Sequence, residues 1–287
     1  MNNKQSKITA NGILKGDGSG NITAASETEV ELVSLPNICN PNMLDNWYFG
    51  NPVNQRGQTS YPGMGYTVDR WKNSSGNTSV LVTDSGLTME GGTSFLSQKV
   101  EDSLLSELDG KIITISSLWT DNVLQTFSWV LNKSQSQLDK NGFYVYTQND
   151  GFFVSRHIGE IQRTVKAAKL ELGSQQTLAH QENGAWVLNE IPKFGDQLAE
   201  CQRYCVAFNK YDCFLPVDNN DFVVELPVPM RAVPTIINPQ NIVNANVTNP
   251  TVAWYNIGSN QLRLRSTASH GGLHAVGDGL VLFSADL

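Results

Sequence analysis

Three features of the chain predict an all-β protein. Gly, Asn, Ser and Thr are abundant while Lys and Glu are scarce, a balance that favours turns and strands over long helices. From Pro41 onward, short apolar or alternating stretches such as "SVLVT", "FLSQKV", "KIITISSLW" and "TFSWVL" recur between turn-forming clusters such as "NSSGN". Regular short strands with turn signals between them point to a sandwich or barrel. The 287 residues, 40% of them hydrophobic, suit one large β domain or two medium ones with a real core.

Residues 1–40 form the first predicted unit, an extended attachment or linker segment. Within Asn11–Ala25, "NGILKGDGSGNITAA", the apolar side chains larger than alanine are Ile13, Leu14 and Ile22, and "KGDGSGN" is turn chemistry. "EVELVSL" alternates as one strand with Val30, Leu32 and Ser34 on one side, and a single strand must pair with the body or with another chain. Residues 41–190 are the predicted β-sandwich. Its strand candidates are "MLDNWYF", "YTVDRW", "SVLVT", "LTM", "FLSQKV", "KIITISSLW", "TFSWVL", "GFYVYTQ", "FFVSRHI" and "KAAKLELG". "EDSLLSELDGK" predicts a helical turn through Leu104, Leu105 and Leu108. "KAAKLEL" places Ala168, Leu170 and Leu172 on one face and charges on the other, as in a sheet with one wet side.

Residues 191–287 are predicted as a short connecting helix and a smaller C-terminal β region. "FGDQLAECQRYCVAF" is the helix, with Asp196 as cap and Leu198, Cys201, Gln202 and Cys205 at helical spacing. Pro227, Pro229 and Pro234 bar a central strand through "FVVELPVPM" and "PTII". "TVAWYNI" and "QLRLRST", joined through "GSN", predict a hairpin, and "GDGLVLFSADL" a final strand.

Charge and composition exclude several function classes. A net charge of −7 without a basic cluster argues against a nucleic-acid partner, because phosphate neutralisation supplies most of that affinity. No window approaches the ~18 apolar residues of a membrane span, so no membrane insertion is expected. The lysines of "MNNKQSKITANG" precede no apolar run, so no secretory signal is expected, and an extracellular role would need release by lysis. Cys39, Cys201, Cys205 and Cys213 form no CxxC pair, which makes buried free thiols the reading and gives no metal site. No G-x-S-x-G elbow frames a serine, and the carboxylates are dispersed, so no catalytic residues and no cofactor are assigned. His270 and His274 lie with Asp278 in "SHGGLHAVGDG", where the glycines favour an exposed loop over a metal site.

Six tryptophans remain. Trp47, Trp71 and Trp129 sit inside apolar strand patterns and are expected in the core. Trp119, Trp186 and Trp254 adjoin polar or turn residues and are expected to be more exposed, where an indole face stacks on a sugar ring. If the strand is regular, Tyr255 faces opposite to Trp254, so one of the two points outward.

Asn40–Trp71, "NPNMLDNWYFGNPVNQRGQTSYPGMGYTVDRW", resembles a block of bacteriophage and prophage tail-fibre or receptor-binding proteins. "AAKLELGSQQT", "FGDQLAECQRYC" and "VPMRAVPTI" resemble later blocks of the same proteins in matching order, with one departure at Cys205, where a second aromatic is usual. "NGILKGDGSGNITAA" is similar to a link segment of phage fibre and baseplate proteins. The resemblance implies a virion protein made in the host cytoplasm, with a jelly-roll-like sandwich similar to carbohydrate-binding modules. It implies a non-enzymatic homotrimer that binds host-surface saccharide. It also implies attachment to other virion proteins through Gly12, Ile13, Leu14, Gly16 and Gly18. The glycan-contact residues expected are Trp254, Tyr255, His270, His274, Trp119 and Trp186. Two alternatives stand beside it: a purely structural head-fibre, decoration or collar protein, and a glycan-degrading enzyme.

Overall fold

The computed structural model describes residues 14–16, 22–24, 39–92, 95–134, 138–140, 142–148, 151–157, 162–209, 212–216, 221–243, 251–265, 274–276 and 279–286. The chain divides into two compact units, Met1–Cys39 and Asn40–Leu287. In the first, Leu14–Gly16 pairs antiparallel with Ile22–Ala24, Leu14 opposite Ala24. Residues 17–21 of the predicted turn "KGDGSGN" lie outside the described residues. The predicted strand "EVELVSL" and the attachment residues Gly12, Ile13 and Gly18 lie outside the described residues.

The larger unit is all-β and antiparallel. Among the described residues its α-helices are Asp102–Leu108 and Phe194–Gln202. One six-stranded sheet runs Leu124–Val130, Ile112–Trp119, Arg163–Leu172, Gly86–Gly91, Thr78–Thr83, Ser60–Pro62. The other runs Leu138–Lys140, Phe143–Gln148, Gly151–His157, Phe95–Val100, Lys72–Asn73, Gly65–Tyr66. The two share one apolar core, with Val80, Leu87, Ile113, Ile115 and Leu170 from the first and Leu96, Phe143 and Val145 from the second. Each such side chain taken from water stabilises by about 1.5–3 kcal/mol.

A second core, built on Phe214, Phe222, Leu262, Leu264 and Phe283, lies in the C-terminal strands. There Val281–Ser284 is central between Cys205–Phe208 and Thr235–Ile237. The prolines act only in part as the sequence predicts: no strand crosses 226–234 and Thr235–Ile237 is an edge, but Asp221–Glu225, which ends before Pro227, is a central strand between Cys213–Pro216 and Gln261–Arg265. The predicted hairpin also forms, Thr251–Tyr255 against Gln261–Arg265. Leu262 and Leu264 enter the core, while Arg263 and Arg265 pair with Asp221 at 2.5 and 2.8 Å. The hydrogen bond from Arg265, with help from Arg263, holds the Asp221 carboxyl down at about 2.

Several expectations are corrected by buried polar groups. "MLDNWYF" is not a strand; it makes one isolated bridge, Tyr48 to Ala167. Asn46, in the left-handed region at φ 51°, accepts from the Val53 amide and donates to the Val53 and Asp69 carbonyls. Its side chain thereby does the pairing a strand neighbour would do. "YTVDRW" likewise yields only the strand end at Tyr66, because Arg70 sits at φ 69° and closes a turn. The charged side of "KAAKLEL" is not wet: Lys169 and Glu171 are both fully buried, whereas Leu172 is exposed. Glu171 accepts from the Thr177 amide (2.7 Å) and hydroxyl, and Lys169 lies 3.5 Å from Glu190, so residues following the strand fold back over this face.

The helix Phe194–Gln202 begins after Lys193, not at Asp196, which instead places its charge in the first turn beside the positive end of the helix dipole. Cys205 leaves the helix to open the strand Cys205–Phe208. Cys201 and Cys205 are buried free thiols. Trp47 and Trp71 are core residues; Trp129 is half-buried and stacked on Phe127 at 5.2 Å.

The seam between the two cores is charged. Arg56 bridges Asp69 (3.2 Å) and Asp286 (2.9 Å), and Gln55 donates to the Cys205 carbonyl. Arg70 is buried, donates to Asp45 and to the Lys99 carbonyl (both 2.8 Å), and stacks on Tyr204 at 3.5 Å. Tyr204 donates to Glu101, which also meets Arg231 at 3.5 Å.

Candidate functional site

One end of the first sheet opens into a cleft of about 340 Å³. Four local structures meet there, each dictated by its own sequence. The strands Thr78–Thr83 and Gly86–Gly91 are joined by the two-residue turn Asp84–Ser85. Gly86 is at φ 148°, and a Cβ there would lie 2.2 Å from the Val165 carbonyl oxygen, so only glycine lets this turn approach the next strand. That strand, Arg163–Leu172, slips register between Val165 and Ala167, which makes Lys166 a bulge residue. A bulge re-aims its side chain, and Lys166 lines the cleft.

The third contribution is the turn after Ile112–Trp119, in which Thr120 and Asn122 follow Trp119. Asn122 adopts φ 63° and grips the fourth element, the hairpin Ala179–Glu182/Ala185–Leu188. Its amide oxygen accepts from the Trp186 backbone N–H (2.7 Å), and its amide nitrogen donates to the Gly184 carbonyl (3.2 Å). Asn183 and Gly184 (φ 51° and 81°) make the two-residue turn of this hairpin, a conformation for which Asn-Gly is strongly preferred. One side chain therefore fixes the position of Trp186.

Aromatic and polar groups line the opening together. Trp119, Trp186 and Tyr48 supply rings; Asp84, Ser85, Thr120, Asn122 and Lys166 supply hydrogen-bonding groups. Trp119 is only 2% exposed and serves as floor. Its indole N–H donates to Gln125, and the Arg163 guanidinium lies over its ring at 4.3 Å. Trp186 and Tyr48 are half-buried at the wall, packed in part against the core. The Tyr48 ring leans on Gly50, where a Cβ would fall 2.6 Å from the phenol oxygen. A second cavity, between the sheets and lined by Phe49, Trp71, Phe143 and other apolar side chains, is about 10 Å³ and is a packing void.

Of the six glycan-contact residues expected from sequence, the structure brings Trp119 and Trp186 together. Trp119 is a buried floor, not the exposed ring expected. Tyr255 is a core residue, 8% exposed, whose hydroxyl donates to the Met230 carbonyl, so it offers no ring face to solvent. A bulge between Val252 and Trp254 shifts the register of its strand and leaves Tyr255 opposite the buried Leu262. Trp254 pairs in register with Arg263, and His274 with Phe214. His270 lies outside the described residues. Sequence reasoning missed Tyr48, Asp84, Ser85, Thr120, Asn122 and Lys166, which come from segments far apart in the chain. The dipeptide Asn183–Gly184 was the one local signal that Trp186 rides on a hairpin.

Among the described residues no group of three or more His, Cys, Asp or Glu side chains is placed to hold a metal ion. No described helix is long and apolar enough to cross a membrane. No family model, curated protein or solved structure matches the chain. The likeness to phage fibre proteins rests on the sequence blocks alone.

Proposed function

We propose that the protein is a saccharide-binding component of a bacteriophage virion, a fibre or receptor-binding protein that uses this cleft to hold host-surface glycan without turning it over. The observation that carries the reading is the pairing of a half-buried indole and phenol with hydroxyl, amide and charged groups in one open cleft. Pyranose rings present C–H faces to aromatics and hydroxyls at their edges, and this lining answers both. Its volume is at the lower end for small-molecule sites and suits a short saccharide unit. Asp84 is the carboxylate on this wall, whereas glycoside hydrolysis uses a pair.

The virion setting, the jelly-roll-like description of the sandwich, the homotrimer and attachment through the N-terminal segment follow from the resembling blocks. Trimerisation suits weak sites, since three on one particle multiply a modest affinity through effective concentration.

Titration of the protein with host-surface oligosaccharides, followed by tryptophan fluorescence, tests the reading. Trp186→Ala is expected to weaken binding by about 1–2 kcal/mol, on the order of 5- to 30-fold, with the fold unchanged by circular dichroism. Equal affinities for the two proteins would remove the cleft as the site. Absence of any binding would favour the structural head-fibre or collar alternative.

A further inference from the structure

Building on the saccharide reading of the cleft, we propose that its ligand is an electrically neutral saccharide, not an acidic one. The cleft carries one carboxylate and one ammonium, Asp84 and Lys166. Among the described residues neither has an ion-pair partner, so both are available to a ligand. The neighbouring charges are already spent on one another. Arg163 donates twice to Asp121, at 3.0 and 2.8 Å, while its guanidinium covers Trp119.

The lining is therefore neutral in sum but polarised. A sugar hydroxyl is both donor and acceptor, so a neutral polyol satisfies both ends at once, donating to Asp84 and accepting from Lys166. A uronate or sialate would gain at Lys166 but bring a second negative charge toward the exposed Asp84, and like-charge juxtaposition selects against such a partner. The long-range field acts in the same direction, because a chain of net charge −7 repels polyanions at low ionic strength. A cationic sugar meets the mirror-image conflict at Lys166.

The test is calorimetric titration of the full chain with neutral oligosaccharides and with matched uronate or sialylated ones. It is run at low salt and at about 0.5 M, where charge–charge attraction is screened. The neutral series is expected to bind with affinity nearly independent of salt. Asp84→Asn and Lys166→Gln are each expected to weaken that binding by about 3- to 10-fold, as loss of a charge-assisted hydrogen bond does. Preference for the acidic series, falling steeply with salt, abolished by Lys166→Gln and strengthened by Asp84→Asn, would overturn the assignment of a neutral ligand. If that acidic binding still required Trp186, the saccharide reading itself would stand. Failure of both series to bind would take down the saccharide reading and the charge assignment together.

Discussion

Arg70→Ala is expected to lower the unfolding free energy by about 3 kcal/mol, the low end for breaking a buried charge pair from one side, because the Asp45 side chain left behind is 25% exposed. Arg70 is 3% exposed, and its guanidinium serves three partners at once: Asp45, the Lys99 carbonyl and the face of Tyr204. Removing it leaves a carbonyl without its donor and a carboxylate without its cation, and opens a void beneath Tyr204. Those partners belong to both sides of the seam, so the loss falls on the junction of the two cores. Arg70→Lys keeps the charge but not the planar fork, and is expected to recover less than half of the difference. Urea unfolding followed by far-ultraviolet circular dichroism measures both variants. A change below about 1 kcal/mol for Arg70→Ala would show that the seam holds without this residue.

The second large effect is a dependence on pH through Asp69, in the same seam. Burial pushes its carboxyl up to about 6 from an ordinary value of 3.8, and Arg56 and the Gln55 amide only partly oppose this. The folded chain therefore binds this proton more tightly than the unfolded chain does. Stability contributed at Asp69 is fully present below about pH 4 and is lost as pH rises through about 6. Asp69→Asn removes the titration but keeps the shape. The difference in unfolding free energy, wild type minus Asp69→Asn, is expected to fall by roughly 2–3 kcal/mol between pH 4 and 7. Asp221 runs in the opposite sense. Its carboxyl is held at about 2 by Arg265 and Arg263, so its contribution is present above about pH 4 and lost as pH falls toward 2. The two windows barely overlap, which lets Asp69 be read from pH 4 upward. A flat difference there would mean that Arg56 and the Gln55 hydrogen bonds fully offset the burial of Asp69.

The all-β class and most strand positions were legible because they rest on local pattern. A short apolar run between turn signals marked Ile112–Trp119, alternation marked Gln261–Arg265, proline excluded strands between 226 and 234, and leucine spacing marked the helix at Asp102–Leu108. What failed was local pattern overruled by a distant partner. Apolar residues in "MLDNWYF" imitate a strand, but the buried amide of Asn46 ties that segment to Val53 and Asp69 instead. Lys169 and Glu171 imitate a wet face, but a later stretch of chain covers them. A side chain's own spacing carries no record of which loop returns over it.

The cleft was legible in part for the same reason. Trp119 and Trp186 stood out by composition, and turn residues beside them hinted at a position near strand ends. Their convergence depends on Asn122 reaching across to the Asn183–Gly184 hairpin, and on a register slip that turns Lys166 into a bulge. Both are contacts between segments separated by tens of residues. Tyr255 shows the converse: its neighbour in sequence is a tryptophan, yet a bulge and a hydrogen bond to Met230 commit it to the core.

The most direct test of the saccharide cleft is a crystal structure of the protein soaked with a neutral host-surface oligosaccharide. The expected result is a pyranose ring stacked on Trp186, with hydroxyls within hydrogen-bond reach of Asp84 and Lys166. A saccharide seated instead on the C-terminal strands around Thr251–Arg265, with the Trp186 cleft empty, would contradict it.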